Sequence, residues 1–167
     1  MENRIRQNVK NNLYKAAISY SFLLNKRIIL KSPNFEQNNT YIIRFFKSNF
    51  AHLTGVKTTL LKEQFYQKCL EQNLDDSDFD CDSSNELKNF VKIKLRHLVN
   101  ISEIFKNGVF VQESFKKGSI ICNIATSDGK CTIGFVDAKF HLRPKTILDK
   151  NCLDKESKII YVVPIIE

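Results

Sequence analysis

The sequence has no apolar run approaching the roughly eighteen residues that would span a bilayer, and its start, Met1-Glu2-Asn3-Arg4, lacks a secretory apolar core. A chain that is neither inserted in a membrane nor secreted is expected in the cytoplasm. Its five cysteines, Cys69, Cys81, Cys122, Cys131 and Cys152, are odd in number and include no C-x-x-C pair, which argues against a disulfide framework and against structural zinc. Cys122 and Cys131 fall within apolar strand patterns, where cysteine behaves as a small hydrophobe. Missing too are G-x-x-x-x-G-K-[ST], G-x-G-x-x-G, H-E-x-x-H and G-x-S-x-G, so nucleotide hydrolysis, dinucleotide redox chemistry and zinc proteolysis all lose support. The segment Asp78-Phe79-Asp80-Cys81-Asp82 starts like a calcium loop, but Ser83 stands where its turn glycine belongs and Asn89 where its bidentate glutamate belongs. It reads as a solvated acidic loop, and neither a metal nor a cofactor is expected.

What is present is an ordinary globular composition: 167 residues, 43% hydrophobic and 26% charged, enough for one domain (1–167) with a real core. The formal charge is +8 and is unevenly spread. Residues 1–57 carry ten basic and two acidic side chains, residues 58–86 two and eight, and residues 87–167 fourteen and eight. Two basic regions therefore flank an acidic insert. Such regions can neutralise phosphates and steer association with RNA or DNA, and they can equally be solvated surface.

Apolar residues at Val9, Leu13, Ala16, Ala17, Tyr20, Leu23 and Leu24 follow three-and-four spacing and predict a first helix over residues 5–24. Residues 27–31 and 40–47 are β-rich and read as a hairpin with a longer loop. A helix is expected over residues 58–72, capped by Thr58 or Thr59, with Leu61, Phe65, Cys69 and Leu70 on one face. The acidic stretch 75–82 ends it. Ser83 followed by Glu86 has the pattern of a capping box and opens another helix, with Leu87, Phe90, Val91, Leu95 and Leu98 inward and Lys88, Lys92 and Arg96 outward.

Strands are expected at 109–112, 119–127, 130–136 and 158–166. Asp128-Gly129 suits a two-residue hairpin turn. Pairing Ser127 with Lys130 would set Thr126 opposite Cys131, Ile124 opposite Ile133 and Cys122 opposite Phe135 on one face. With no internal repeat, this order of helices followed by a strand meander predicts an α+β fold, N-terminal helices packed on one face of an antiparallel sheet.

Three histidines exist. His97 reads as a helix-surface or interhelix residue. His52 stands where a strand run appears to finish, beside Gly55, with Thr54 and Lys57 close by; a histidine can be a general acid or base near neutral pH, or simply a turn residue bonded to backbone. A second polar concentration, Lys139, His141, Arg143, Lys145 and Thr146 around Pro144, would suit RNA cleavage, since the ribose 2′-OH supplies the nucleophile and the protein only moves protons and holds cations near phosphate.

The run Phe45-Phe46-Lys47-Ser48-Asn49-Phe50-Ala51-His52-Leu53-Thr54-Gly55-Val56 is followed by Ile124-Ala125-Thr126-Ser127-Asp128-Gly129-Lys130 leading into Thr132-Ile133-Gly134-Phe135, and then by Pro144-Lys145-Thr146-Ile147-Leu148. In order and spacing it resembles one branch of the phage-associated barnase–EndoU–colicin–RelE-like nucleases. The resemblance covers residues 40–165 and leaves residues 1–39 as an N-terminal helix-hairpin extension of the same domain. It implies a compact α+β fold and a metal-independent endoribonuclease of the kind found in phage proteins, mobile elements and toxin systems. It also implies His52 as the catalytic histidine, with Thr54 beside it and Thr126 on the late hairpin, and Lys145 and Thr146 in a phosphate-binding motif.

Three readings follow. The first is a ribonuclease, a toxin or mobile-element effector, with His52 moving a proton, Lys57, Lys139, Arg143 and Lys145 near phosphate, RNA as partner and a protein inhibitor as a second partner. A non-catalytic RNA-binding or anti-defence protein would use the basic surface without His52. A protein-interaction module would use the acidic segment 71–86 as its docking surface.

Overall fold

The computed structural model describes the chain over residues 2–80 and 85–167. These gather into two compact units, each made from two stretches of chain: Met1–Leu24 with Phe46–Ser102, and Asn25–Phe45 with Glu103–Glu167. Neither unit is continuous in sequence, so neither is a separable segment.

The first unit is helical. Helix α1 (Glu2–Ser21) buries Leu13, Ala16, Ala17 and Tyr20, the residues that the three-and-four spacing picks out. Helix α2 (Lys47–Thr54) turns Phe50, Leu53 and Thr54 inward, and α3 (Lys62–Leu70) buries Phe65, Tyr66 and Cys69. Aromatic rings join the three: Tyr20 meets Phe50 edge-on at 5.2 Å, Phe50 meets Tyr66 at 5.1 Å, and Tyr20 meets Tyr66 at 5.6 Å. Both buried phenols donate to backbone, Tyr20 to the Phe46 carbonyl at 2.6 Å and Tyr66 to that of Ala17 at 3.1 Å. Helix α4 (Asn85–Leu98) contributes Val91, Leu95 and Leu98, and a short ribbon pairs β3 (Lys57–Thr58) with β4 (Phe79–Asp80).

Several expectations change here. His52 does not end a strand; it lies in the last turn of α2, because the strand β2 (Thr40–Ile43) stops four residues before that helix begins. Thr58 does not cap α3. Its hydroxyl donates to the Asp78 carbonyl at 2.6 Å and accepts the Leu60 N–H at 3.1 Å, which delays the helix until Lys62. Phe90 is 48% exposed rather than inward, its ring lying under the Lys94 ammonium at 4.6 Å. Ser83, the expected cap of α4, lies outside the described residues, as do the side chains of Glu86, Leu87 and Lys88.

The acidic stretch is less solvated than expected. Lys10 pairs with Asp76 at 2.6 Å, Lys68 pairs with the buried Asp78 at 3.1 Å, and Arg6 donates to the carbonyls of Asp76 and Phe79. The hydrogen bond from Lys10 holds the Asp76 carboxyl below the usual range. For Asp78 the Asp75 backbone N–H does so first and Lys68 second.

The second unit is one eight-stranded sheet in the order β10-β1-β2-β8-β7-β6-β5-β9. Besides β2 it comprises β1 (Ile28–Lys31), β5 (Val109–Lys117), β6 (Ile120–Ser127), β7 (Cys131–Ala138), β8 (His141–Asp149), β9 (Ile160–Val162) and β10 (Ile165–Ile166). All neighbours are antiparallel except β2 and β8, which run parallel through Ile43 and Leu142, so the expected antiparallel sheet carries one parallel seam. Strands β9 and β10 sit at opposite ends of the order, yet only Val163 and Pro164 separate them. Three peptide links reach roughly 10 Å, so the sheet must curl until its two edges come close. The chain end is held there by Arg27, which exchanges both backbone bonds with Glu167 and pairs with its carboxylate at 2.7 Å.

Strand β8 was not expected as a strand, since Lys139, His141, Arg143 and Lys145 give it a polar reading and Pro144 cannot donate to a ladder. The ladder accommodates Pro144 beside a bulge. Gly134 pairs with Thr146 and Phe135 with Pro144, leaving Lys145 as the extra residue. The β6–β7 register also differs from expectation by two residues: Ser127 pairs with Thr132, Thr126 with Ile133 and Ile124 with Phe135. Asp128 Oδ1 accepts the N–H groups of both Lys130 and Cys131, and Ser127 Oγ donates to the Cys131 carbonyl, which builds a four-residue loop in place of a two-residue turn. A slip of two preserves the faces of Ile124 and Thr126. Cys122 departs from that face and clusters with Ala125, Phe115 and Leu153. Strand β6 is irregular there, since the Asn123 side chain bonds Asp137 across the strands in both directions.

Candidate active site

In the first unit the candidate residues surround the end of α2. Phe50, Leu53 and Thr54 face the core, which leaves His52 on the exposed side. The helix starts with the Asn49 side chain accepting the Phe46 N–H at 3.1 Å. It ends at Gly55, whose φ of 73° is left-handed and whose N–H donates to the His52 carbonyl at 3.3 Å. A Cβ on Gly55 would lie 2.9 Å from Phe90 and 3.2 Å from Lys94, so the position requires glycine for both conformation and space. Thr54 is fully buried, and its hydroxyl donates to the Ala51 carbonyl at 2.6 Å and accepts the Val56 N–H at 3.1 Å. It builds the turn that carries His52. Lys57, exposed on β3, follows that turn.

Lys94 in the same unit was not singled out by the sequence. Only 6% exposed, with its stem against Gly55, it sits in α4 between Ile93 and Leu95, and burial pushes its ammonium down to about 8. The visible signal was a lysine on the apolar side of an otherwise regular helix.

In the second unit the structure divides the candidates between the two faces of the sheet. Thr126 is opposite Ile133, which is opposite Ile147; Thr146 is opposite Gly134, which is opposite Ala125. Thr126 and Thr146 are thus on opposite faces. Thr126 is 1% exposed, and its hydroxyl is the one buried side-chain polar atom without a hydrogen-bond partner among the described residues. On the other face the bulge at Lys145 brings Arg143 and Thr146, three residues apart, to the same side, with His141 two residues further along. Gly134 makes this crowding possible: a Cβ there would stand 2.5 Å from Cys122 Sγ and 3.2 Å from Thr146 Cγ2. Lys145 reaches across β7 to donate to the Ile121 carbonyl at 3.2 Å. Burial raises the Cys122 thiol, with the Lys145 charge working against it.

A cavity of about 340 Å³ opens beside the tip of the β7–β8 hairpin, between the loop at Gln37 and Asn38, Tyr41, Asn123, Asp137 and Phe140. Its wall is well braced. The Glu113 carboxylate accepts from Tyr41 Oη and from the N–H groups of Glu36 at 2.7 Å and Gln37 at 2.9 Å. Burial would raise the Glu113 carboxyl, but these bonds together hold it below its usual range, and burial followed by the Glu113 bond pushes the Tyr41 phenol up to about 12. Tyr41, Glu113 and Asn123 were not singled out by the sequence, since they come together only through strand pairing. Among the described residues no three His, Cys, Asp or Glu side chains gather as metal ligands, and no helix is long and apolar enough to cross a membrane.

The chain is thus an α+β protein with a large antiparallel-dominated sheet and an exposed histidine on a short helix. The family model described as phage-Barnase-EndoU-ColicinE5/D-RelE like nuclease 4 matches residues 12–159, and the chain belongs to that family. The match starts inside α1 and includes β1, so it reaches further toward the N-terminus than the motifs that first carried the resemblance. No curated protein and no solved structure matches the chain.

Proposed function

We propose that this phage-type nuclease is an endoribonuclease that cleaves RNA without a metal, by attack of the ribose 2′-OH on the adjacent phosphate. The phosphorus gains a bond to O2′ and loses its bond to O5′, leaving a cyclic phosphate and a free 5′-hydroxyl. Two proton transfers are needed, one from O2′ and one to O5′, and an imidazole, which can both accept and donate a proton, serves one of them. The observation that carries the reading is His52: an exposed imidazole on a helix whose other side is locked into the core, at a turn built by Thr54 and Gly55. Lys57 follows that turn, and Lys139, Arg143 and Lys145 supply cations for the phosphates of a longer substrate. Thr146 lies with Arg143 on the phosphate-binding strand. Thr54 acts through the turn, and we place the buried Thr126 outside the reacting set.

An effector of this type in a phage or mobile element acts on RNA in the cytoplasm and is harmful to the cell that makes it, so a protein inhibitor is the expected second partner. With a formal charge of +8, an acidic surface on that inhibitor would be complementary. The test is cleavage of RNA in excess EDTA by the wild-type chain and by His52→Ala. Loss of the general acid–base group should slow cleavage by about 10²- to 10⁴-fold while the melting temperature stays unchanged, because the side chain is exposed. Equal rates would remove His52 from the site. RNA binding without cleavage by either protein would leave a non-catalytic binder.

A further inference from the structure

Phe140 combines two properties that folding alone disfavours. It is fully exposed, and it has a φ of 64°, the only aromatic among the described non-glycine residues with positive φ. It forms, with Lys139, the two-residue connection between Ala138 and His141, which pair at the end of the β7–β8 hairpin. A left-handed position in such a turn suits glycine or asparagine, which would relieve the backbone strain and remove an apolar ring from water. A bulky aromatic ring held there in a strained conformation points to a contact outside the chain.

Phe140 is one of the residues lining the cavity described above. Lys139 precedes it and Arg143 is exposed three residues later. The lining is polar in a particular way: the carboxamides of Gln37, Asn38 and Asn123, the Tyr41 phenol and the Asp137 carboxylate. Asn123 fixes Asp137, donating from Nδ2 to its carboxylate at 3.0 Å and accepting its backbone N–H at 3.0 Å. A carboxylate in the lining repels a phosphate, whereas it accepts well from the N–H groups on a base edge. Lys139 and His141 complete the lining on either side of Phe140, at the turn, and Arg143 lies beyond it, where phosphates on either side of an inserted base would run.

We propose that Phe140 and this cavity bind one unpaired nucleobase of single-stranded RNA. The base stacks on the ring, its edge turns toward the carboxamides and Asp137, and Lys139 and Arg143 take the flanking phosphates. The inference rests on the ribonuclease reading and adds to it a strand preference: RNA with unstacked bases binds, and continuous duplex does not.

The chain contains no tryptophan, so Phe140→Trp places a lone indole at the tip and keeps an aromatic ring there. The probe is an RNA oligonucleotide of about ten residues, of mixed sequence, fully 2′-O-methylated so that it lacks the nucleophile and stays intact, used alone or annealed to its complement. The expected result is saturable quenching of the indole by the single strand and little by the duplex. Phe140→Gly should keep or raise the melting temperature and bind the single strand about tenfold more weakly. If the single strand binds in a salt-sensitive way, but the indole is not quenched and Phe140→Gly binds as tightly as wild type, the base site is overturned and the RNA reading survives. If no variant binds the single strand, both fall, and an exposed ring beside basic residues is left to a protein partner.

Discussion

At Thr126 a single substitution tests whether a hydroxyl serves structure or catalysis. Its Oγ1 is buried with no partner, at a cost of about 1–3 kcal/mol, while its opposite neighbours are Val111 and Ile133. Valine has the same shape without the stranded group. Thr126→Val is therefore expected to raise stability by about 1 kcal/mol in urea unfolding and to leave RNA cleavage unchanged; loss of cleavage with a stable fold would return Thr126 to the site. Lys94 is the second residue with an environment at odds with its chemistry. Burial lowers its folded-state value from 10.5 to about 8. Below about 8 the folded and unfolded chains both carry the proton and the burial penalty is fully present. Between about 8 and 10.5 the folded chain has released a proton that the unfolded chain keeps, so stability rises with pH, by on the order of 3 kcal/mol in total. Chemical denaturation at pH 7.5 and pH 10 should show that rise in wild type and lose it in Lys94→Met, approximately cancelling the contributions of the other groups. His52 was legible in the sequence as a residue type in a motif, and Lys94 was not, because a lysine inside a helical pattern reads as solvated until the neighbours of that face are known.

At the scale of elements, α2 is a short helix that holds together because both of its ends are fixed. Asn49 satisfies the Phe46 N–H at the start, and Thr54 and Gly55 close the end. Gly55→Ala combines a left-handed φ with a contact of 2.9 Å to Phe90. Differential scanning calorimetry should show a loss of about 1–3 kcal/mol, with cleavage impaired at temperatures where the variant is still folded, since the turn sets the direction of His52. An unchanged melting temperature would mean that the turn is not held as described. Helix α1 was readable because its apolar spacing follows one period, and β6, β7 and the first half of β5 because they are runs of β-favouring residues. Strand β8 was hidden by its polar residues and its proline, and the β6–β7 register slipped by two because Asp128 and Ser127 build a loop with their side chains that no dipeptide rule contains. The faces of Ile124 and Thr126 survived the slip; that of Cys122 did not, because the bonds between Asn123 and Asp137 interrupt the alternation.

For the whole molecule, the charge map read from the sequence changes meaning once the partners are in place. The acidic insert, read from the sequence as a solvated loop and only in the third alternative as a docking surface, pairs Asp76 and Asp78 with Lys10 and Lys68. Of the fourteen basic residues in 87–167, four lie along α4 and three, Lys139, Arg143 and Lys145, on β8 and its preceding turn, where His141 joins them. The fold class and the family were legible because they rest on long patterns and ordered motifs. The cavity beside Phe140 was not, because Gln37, Tyr41, Asn123 and Asp137 are brought together only by the parallel seam between β2 and β8 and the antiparallel ladder beyond it. The most direct measurement of the cut is mass spectrometry of the fragments released from a short RNA by the wild-type chain in excess EDTA. A 2′,3′-cyclic phosphate on one fragment and a 5′-hydroxyl on the next is the predicted result; a 5′-phosphate paired with a 3′-hydroxyl, or cleavage that continues when every 2′-OH is methylated, would contradict it.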